Sequence, residues 1–117
     1  PKPDHAIIID MIGDKNLHLP IERLSYRNAP RLTRKLWKLA KKLNLPAFDQ
    51  TLGYSIFDDH VPLWEFAKIQ SIDIIDFDYP DEKTNYHHTY NDIVEKCSPE
   101  SLRQVGTLMV HHIYNQQ

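Results

Sequence analysis

Cysteine and glycine are scarce in this chain of 117 residues, which contains one Cys and three Gly. Cys97 has no second cysteine with which to form an internal disulfide or a thiolate zinc site, so a bound metal would need His, Asp or Glu ligands. No run of apolar residues approaches the ~20 that a membrane-spanning helix requires. Because the chain begins without Met, we expect it to be a piece of a longer protein whose upstream part holds any targeting signal.

An excess of positive charge is also missing, since the formal net charge is −2 and the isoelectric point is about 6.4. This balance argues against a protein that binds nucleic acid through a broad positive field. One predicted helix does carry a basic face, made of Arg31, Arg34, Lys35, Lys38, Lys41 and Lys42. We interpret that face as solvated, and a nucleic-acid binder ranks last among the functions considered.

Two short apolar runs predict strands that are buried on both faces, as in a parallel sheet. The first covers residues 6–9 and closes at Asp10, and the second covers residues 71–76. Residues 14–29 are interpreted as irregular or extended structure, and residues 77–97 as a long loop. A loop of that length in a compact domain is usually functional or disordered.

Segments with helical periodicity lie between and after these two apolar runs. This periodicity predicts a helix from Pro30 to about residue 43, a short helix beginning at Pro62, and a closing helix that starts at Ser98 and Pro99. The predicted apolar stripe of the closing helix is Leu102, Val105, Leu108, Met109 and Ile113. The alternation of strands and helices predicts one α/β domain, a three-layer sandwich with a mainly parallel sheet.

Acidic residues and histidines fall where the predicted strands end or where connections could reach the same edge. They are Asp10, Asp58, Asp59, His60, Asp76, Asp78, His87 and His88. Ligands bind outside the carboxyl ends of strands in open α/β sheets, and carboxylate with imidazole is a donor set that Zn²⁺ accepts. The same residues are also typical of exposed strand ends and surface imidazoles, and no His-Glu-x-x-His pattern is present.

The segments around these residues resemble the zinc aminopeptidase family numbered twenty-eight among the metallopeptidases, which includes the glutaminyl-peptide cyclases. The resemblance runs in the family's order through residues 8–14, 19–23, 57–63, 72–80, 86–89, 92 and 96–102. It therefore covers nearly the whole chain. It implies the zinc exopeptidase fold, with this chain, residues 1–117, as the C-terminal part of the catalytic domain.

The resemblance also implies roles for individual residues. Asp10 is similar to the carboxylate that binds the second zinc in two-metal aminopeptidases or joins the catalytic acid network of one-zinc cyclases. His88 matches a histidine zinc ligand, and His87 takes a substrate-binding position where the family often has Trp. Asp58 corresponds to the acid of the Asp-Asp-His-x-Pro motif that bonds into the catalytic carboxylate cluster, a crowding that raises pKa values. His60 and its neighbour in that motif are expected to hold the loop.

The implied activity is that of a zinc-dependent aminopeptidase acting on peptides with a free N-terminus; the resemblance permits a secreted or periplasmic setting but does not assign one. A glutaminyl-peptide cyclotransferase is the first alternative. The family's upstream His-x-Asp, bridging Asp and Glu-Glu segments have no counterpart here, so the isolated chain is expected to lose zinc and activity. The second alternative is a noncatalytic folded fragment or interaction module, whose exposed sheet edge pairs with another copy or a partner.

Overall fold

Eight helices and strands make up the part of the chain that the computed structural model describes, residues 3–76 and 98–114. In chain order they are β1 (His5–Asp10), β2 (Leu19–Ile21), α1 (Arg23–Asn28), α2 (Pro30–Lys42), β3 (Phe48–Leu52), α3 (His60–Ala67), β4 (Gln70–Ile75) and α4 (Pro99–Tyr114). None of these helices combines the length and apolar character needed to cross a membrane. The predicted α/β architecture with parallel strands is confirmed. The predicted loop at 77–97 lies outside the described residues.

The pair of β1 and β4 forms the frame on which the acidic residues are placed. These strands run parallel, with Ile8 opposite Asp73 and Asp10 opposite Ile75, so both end at the same edge. Residues 71–76 are buried as predicted. The prediction that β1 is buried on both faces is wrong for the described chain, where Ile9 is 41% exposed. The reason is that β4 is its one hydrogen-bonded strand neighbour among the described residues.

The prediction of irregular structure over residues 14–29 is also wrong, because this segment contains β2 and α1. β2 has three residues, too few to show a period. At the start of α1, the Glu22 side chain accepts hydrogen bonds from the backbone N–H groups of Leu24 and Ser25. Glutamate is outside the Ser, Thr, Asp and Asn group that usually marks a helix start, so no capping signal precedes α1.

Helix α2 confirms its prediction, with Pro30 in its first turn and an apolar face that enters the core. Trp37 is 1% exposed, and its Nε1–H donates to the Leu19 carbonyl at 3.0 Å. The same ring meets Phe48 edge to face at 5.4 Å between centroids. These contacts fasten α2 to both β2 and β3, while the basic residues of α2 lie on its exposed face.

Helix α4 begins where Ser98 and Pro99 predict, but its buried face differs from the predicted stripe. Leu102 and Ile113 are 49% and 59% exposed. Val105 and Leu108 are buried as predicted, and Ser101, Gln104 and His112 complete the buried face. Two polar contacts explain why the buried face of α4 is rotated from the predicted stripe. The Ser101 hydroxyl donates to the Asp14 carbonyl, and the Gln104 Oε1 accepts from the Ala47 N–H at 3.0 Å.

The two leucines of α4 test this correction. Leu108→Ala removes a side chain that is fully buried, so it should lower the free energy of unfolding by roughly 2–5 kcal/mol. Leu102→Ala, on the exposed face of the same helix, should cost less than about 1 kcal/mol. Urea unfolding of the 117-residue chain measures both, and equal losses would contradict the observed face of the helix.

Candidate active site

Acidic side chains from three parts of the fold converge where β1 and β4 end. Asp10 is the last residue of β1 and is exposed, whereas Asp76 directly follows β4 and is buried. The Asp76 Oδ2 accepts a hydrogen bond from the His18 N–H at 3.0 Å. Asp58 lies in the turn before α3, where its Oδ1 accepts the Asp59 N–H at 2.8 Å. Helix α3 packs against β4, which brings this turn to the sheet.

Asp73, inside β4, is the acid that links these groups. It is 0% exposed, and neither of its oxygens has a hydrogen-bond partner of good geometry among the described residues. Burial raises the pKa of Asp73 to about 9, helped by the adjacent Asp58 carboxyl group and by the negative charges of Asp58, Glu22 and Asp10. Asp73 is therefore protonated at pH 7.

Glu22 is a second buried acid of this cluster, and its carboxylate is ionised where that of Asp73 is neutral. It is 2% exposed. Burial alone would raise its pKa, but the hydrogen bonds from His60, Ile56, Ser25 and Leu24 outweigh burial and lower the pKa of Glu22 to about 2. The carboxylate is thus ionised over the whole physiological range.

His60 connects the ionised acid to the neutral one. Its Nε2 lies 2.7 Å from Glu22 Oε1, and because an ionised carboxylate only accepts, Nε2 must carry the proton. The other ring nitrogen, Nδ1, lies 3.7 Å from Asp73 Oδ2, beyond hydrogen-bond distance but close enough for electrostatic interaction. Both His60 and Asp73 are fully buried, so the ring is enclosed between two acids.

The structure describes only some of the site residues that were predicted from the sequence. Asp10 and Asp58 act on the same buried carboxyl group, that of Asp73. The predicted zinc ligand His88 and the predicted substrate-binding residue His87 lie outside the described residues. Within residues 3–76 and 98–114, no three His, Cys, Asp or Glu side chains are arranged to hold a metal ion. Asp10 is thus the one predicted ligand that the structure describes.

Neither the residue patterns nor the family resemblance assigned a role to Asp73, Glu22 or Ser25. Asp73 did carry a signal, because a carboxylate inside an otherwise apolar buried strand needs a partner or a proton. Glu22 and Ser25 carried none, since their contacts join elements 34 to 48 residues apart in the chain.

The high pKa of Asp73 predicts a pH dependence of stability. The folded protein keeps a proton that the unfolded chain releases above its ordinary pKa of 3.8, so the free energy of unfolding falls as pH rises toward 9. One proton gives a slope of about 1.4 kcal/mol per pH unit. Asp73→Asn should remove this slope and the exposed control Asp4→Asn should keep it. Urea unfolding between about pH 5 and 8, with a chelator present, measures it. Parallel curves for all three proteins would disprove the assignment.

Comparison with known proteins identifies the family. The model of "Peptidase family M28" matches residues 3–113 of the chain. No curated protein gives a significant match. Solved structures do match, and the chain spans less than half the length of those described below.

A glutaminyl cyclase from Porphyromonas gingivalis superimposes with a TM-score of 0.92 at 28% identity, covering 100% of this chain and 44% of its own. A leucine aminopeptidase precursor from Bacteroides thetaiotaomicron gives 0.90 at 32% identity, covering 99% and 39%. A Zn-dependent exopeptidase from Parabacteroides distasonis gives 0.89 at 32%, covering 96% and 39%. The fold matches that of zinc exopeptidases and glutaminyl cyclases, and the chain belongs to peptidase family M28.

Proposed function

We propose that residues 1–117 form the C-terminal part of the catalytic domain of a zinc-dependent aminopeptidase, which acts on peptides with a free N-terminus. The observation that carries the proposal is the Asp58–Asp73 carboxyl pair beside Asp10, at the edge where β1 and β4 end. Asp73 is held protonated near neutral pH, and Asp58 beside it supplies a second carboxyl group, a pairing suited to moving a proton.

The donor set suits zinc but is incomplete. Asp10 offers an exposed carboxylate at the end of β1, and His88 would add an imidazole, which are ligand types that zinc accepts without thiolates. Two ligands are too few for a catalytic site, so the remaining ligands belong to the upstream part of the protein. The isolated chain is therefore expected to be inactive and not to retain zinc. When bound, zinc would supply polarisation of the scissile carbonyl and a lowered pKa for the attacking water.

In the aminopeptidase reaction, the Asp58 carboxylate accepts the proton that the attacking water releases. Asp73 stays neutral beside Asp58 and so adds no second negative charge next to the proton acceptor. Asp58 then returns the proton to the amine that leaves. The buried side of the pair excludes water, since Asp58 Oδ2 and both Asp73 oxygens are inaccessible.

A glutaminyl-peptide cyclotransferase is the second candidate, favoured by the glutaminyl cyclases from Porphyromonas gingivalis and Tannerella forsythia among the matching structures. In that reaction Asp58 would accept a proton from the N-terminal amine as it attacks the glutamine side-chain amide. The same proton would pass to the departing ammonia. His87 would line the substrate site in either reaction.

A noncatalytic interaction module is the candidate from another class. It is favoured by the edge of β1, where Ile9 is 41% exposed and β4 is the only strand partner among the described residues. Unpaired strand edges readily join a second copy or a partner. A dimer of the 117-residue chain that Ile9→Lys abolishes, together with an inactive complete protein, would favour this alternative.

Two variants of the complete protein test the enzyme proposal. Asp58→Asn should lower kcat about 10²- to 10⁴-fold and leave the zinc content unchanged, because it removes the proton acceptor. His88→Ala should lose zinc and activity together. Hydrolysis of an N-terminal residue and cyclisation of an N-terminal glutamine are assayed side by side, with zinc measured by atomic absorption.

The matched controls are Asp4→Asn and His111→Ala, at exposed positions away from the acidic cluster. Both should behave like the wild-type protein. Unchanged zinc content in His88→Ala, or an unchanged rate in Asp58→Asn, would refute the corresponding assignment. Whichever of the two reactions the wild-type protein performs decides between peptidase and cyclase.

A further inference from the structure

The Glu22 carboxylate holds the Asp58 turn from both sides. Its Oε2 accepts the backbone N–H of Ile56 at 3.0 Å, two residues before Asp58. Its Oε1 accepts the Nε2–H of His60 at 2.7 Å, two residues after Asp58. The turn that presents Asp58 is therefore fixed at each end by one side chain from another part of the chain.

The same carboxylate also reaches Asp73, through Ser25. The Ser25 hydroxyl donates to Glu22 Oε1 at 2.7 Å and accepts the backbone N–H of Asp73 at 2.8 Å. His60 also approaches Asp73 from α3, since its Nδ1 lies 3.7 Å from Asp73 Oδ2. Glu22 is thus connected by hydrogen bonds to the backbone of Asp73, through Ser25, and directly to the residues two positions before and after Asp58.

Helix capping alone does not account for this arrangement. Five donors meet Glu22, namely the N–H groups of Leu24, Ser25 and Ile56, the Ser25 hydroxyl and the His60 ring. A cap needs only the first two. The other three come from the segments that carry Asp58 and Asp73, or lead directly to them. Glu22, Ser25, His60 and Asp73 are each at most 2% exposed, so water does not replace these bonds in the folded state.

We propose that Glu22 is a positioning residue, which acts through His60 and Ser25 to hold the Asp58 and Asp73 carboxyl groups at the separation that lets them share a proton. This role rests on the proposed function, because its catalytic effect requires the pair to transfer protons. Glu22 itself is 2% exposed, so its role is exerted through neighbouring side chains.

Substitutions of His60 in the complete protein separate the two ring contacts. Gln at position 60 places an amide N–H near the site of Nε2 and can still donate to Glu22, whereas Asn is too short to reach it. His60→Gln should keep kcat within about fivefold of the wild type. His60→Asn and Glu22→Gln should lower kcat about 10²-fold, with KM changed less than about threefold, since displacement of a catalytic group by ~1 Å has that cost.

The pH profile supplies a readout that simple loss of structure would not move. The charged and titratable groups facing Asp73 are Asp58 from the turn before α3, Glu22 from the start of α1, Asp10 from β1 and His60 from α3. Removing the Glu22 charge lowers the pKa of Asp73 and should move the alkaline limb of kcat to lower pH. The control Glu100→Gln, on the exposed face of α4, should leave the limb in place.

All rates are expressed per zinc-loaded molecule, so that a variant with a smaller folded fraction does not mimic a catalytic defect. An unchanged alkaline limb and unchanged kcat per zinc in both Glu22→Gln and His60→Asn would overturn the positioning role. Amide hydrogen exchange at Ile56 and Asp73 provides a measure independent of activity and should accelerate in Glu22→Gln. A wild-type protein inactive in both assays would overturn the proposed function instead, with the accelerated exchange still marking Glu22 as the group that holds the pair.

Discussion

The close approach of two acidic side chains, Asp58 and the buried Asp73, is the constraint on which the rest of the site depends. Two acids can face each other inside a protein only if one keeps a proton. Here the buried member keeps it, with the pKa of Asp73 raised to about 9, and Asp58 lies at the accessible end of the pair. The strand register, the turn before α3 and the contacts below the pair all serve to maintain this one juxtaposition.

The two buried acids of this cluster, Asp73 and Glu22, titrate in opposite directions because their hydrogen-bond donors differ. Glu22 is met by backbone, hydroxyl and imidazole donors, which stabilise its charge and lower its pKa to about 2. Asp73 faces another carboxyl group, so its neutral form is favoured. Environments that separate the pKa values of neighbouring acids are what assign acid and base roles in enzymes that work near pH 7. In this chain the separation arises from side chains on α1, α3 and β4.

Much of the fold is readable from the sequence because local signals agree with it. Several local signals predict elements that the structure contains. They are the apolar runs before Asp10 and Asp76, Pro30 at the start of α2 and Pro99 at the start of α4. The failures come from tertiary contacts. Glu22 caps α1 although glutamate is an uncommon cap, and polar contacts of Ser101 and Gln104 turn α4 away from its apolar pattern. The family resemblance identified Asp10 and Asp58, whereas the contacts that make them a cluster join residues far apart in the chain.

Membership of peptidase family M28 is compatible with aminopeptidase and glutaminyl cyclase chemistry, since structures of both kinds of protein match the chain. The most direct test of this account is the titration of the Asp73 side-chain carboxyl carbon by ¹³C NMR in the metal-free complete protein, because a zinc ion beside Asp10 would lower the pKa of Asp73. The account predicts that Asp73 stays protonated at pH 7 and titrates near pH 9. A titration near the ordinary value of 3.8 would contradict it.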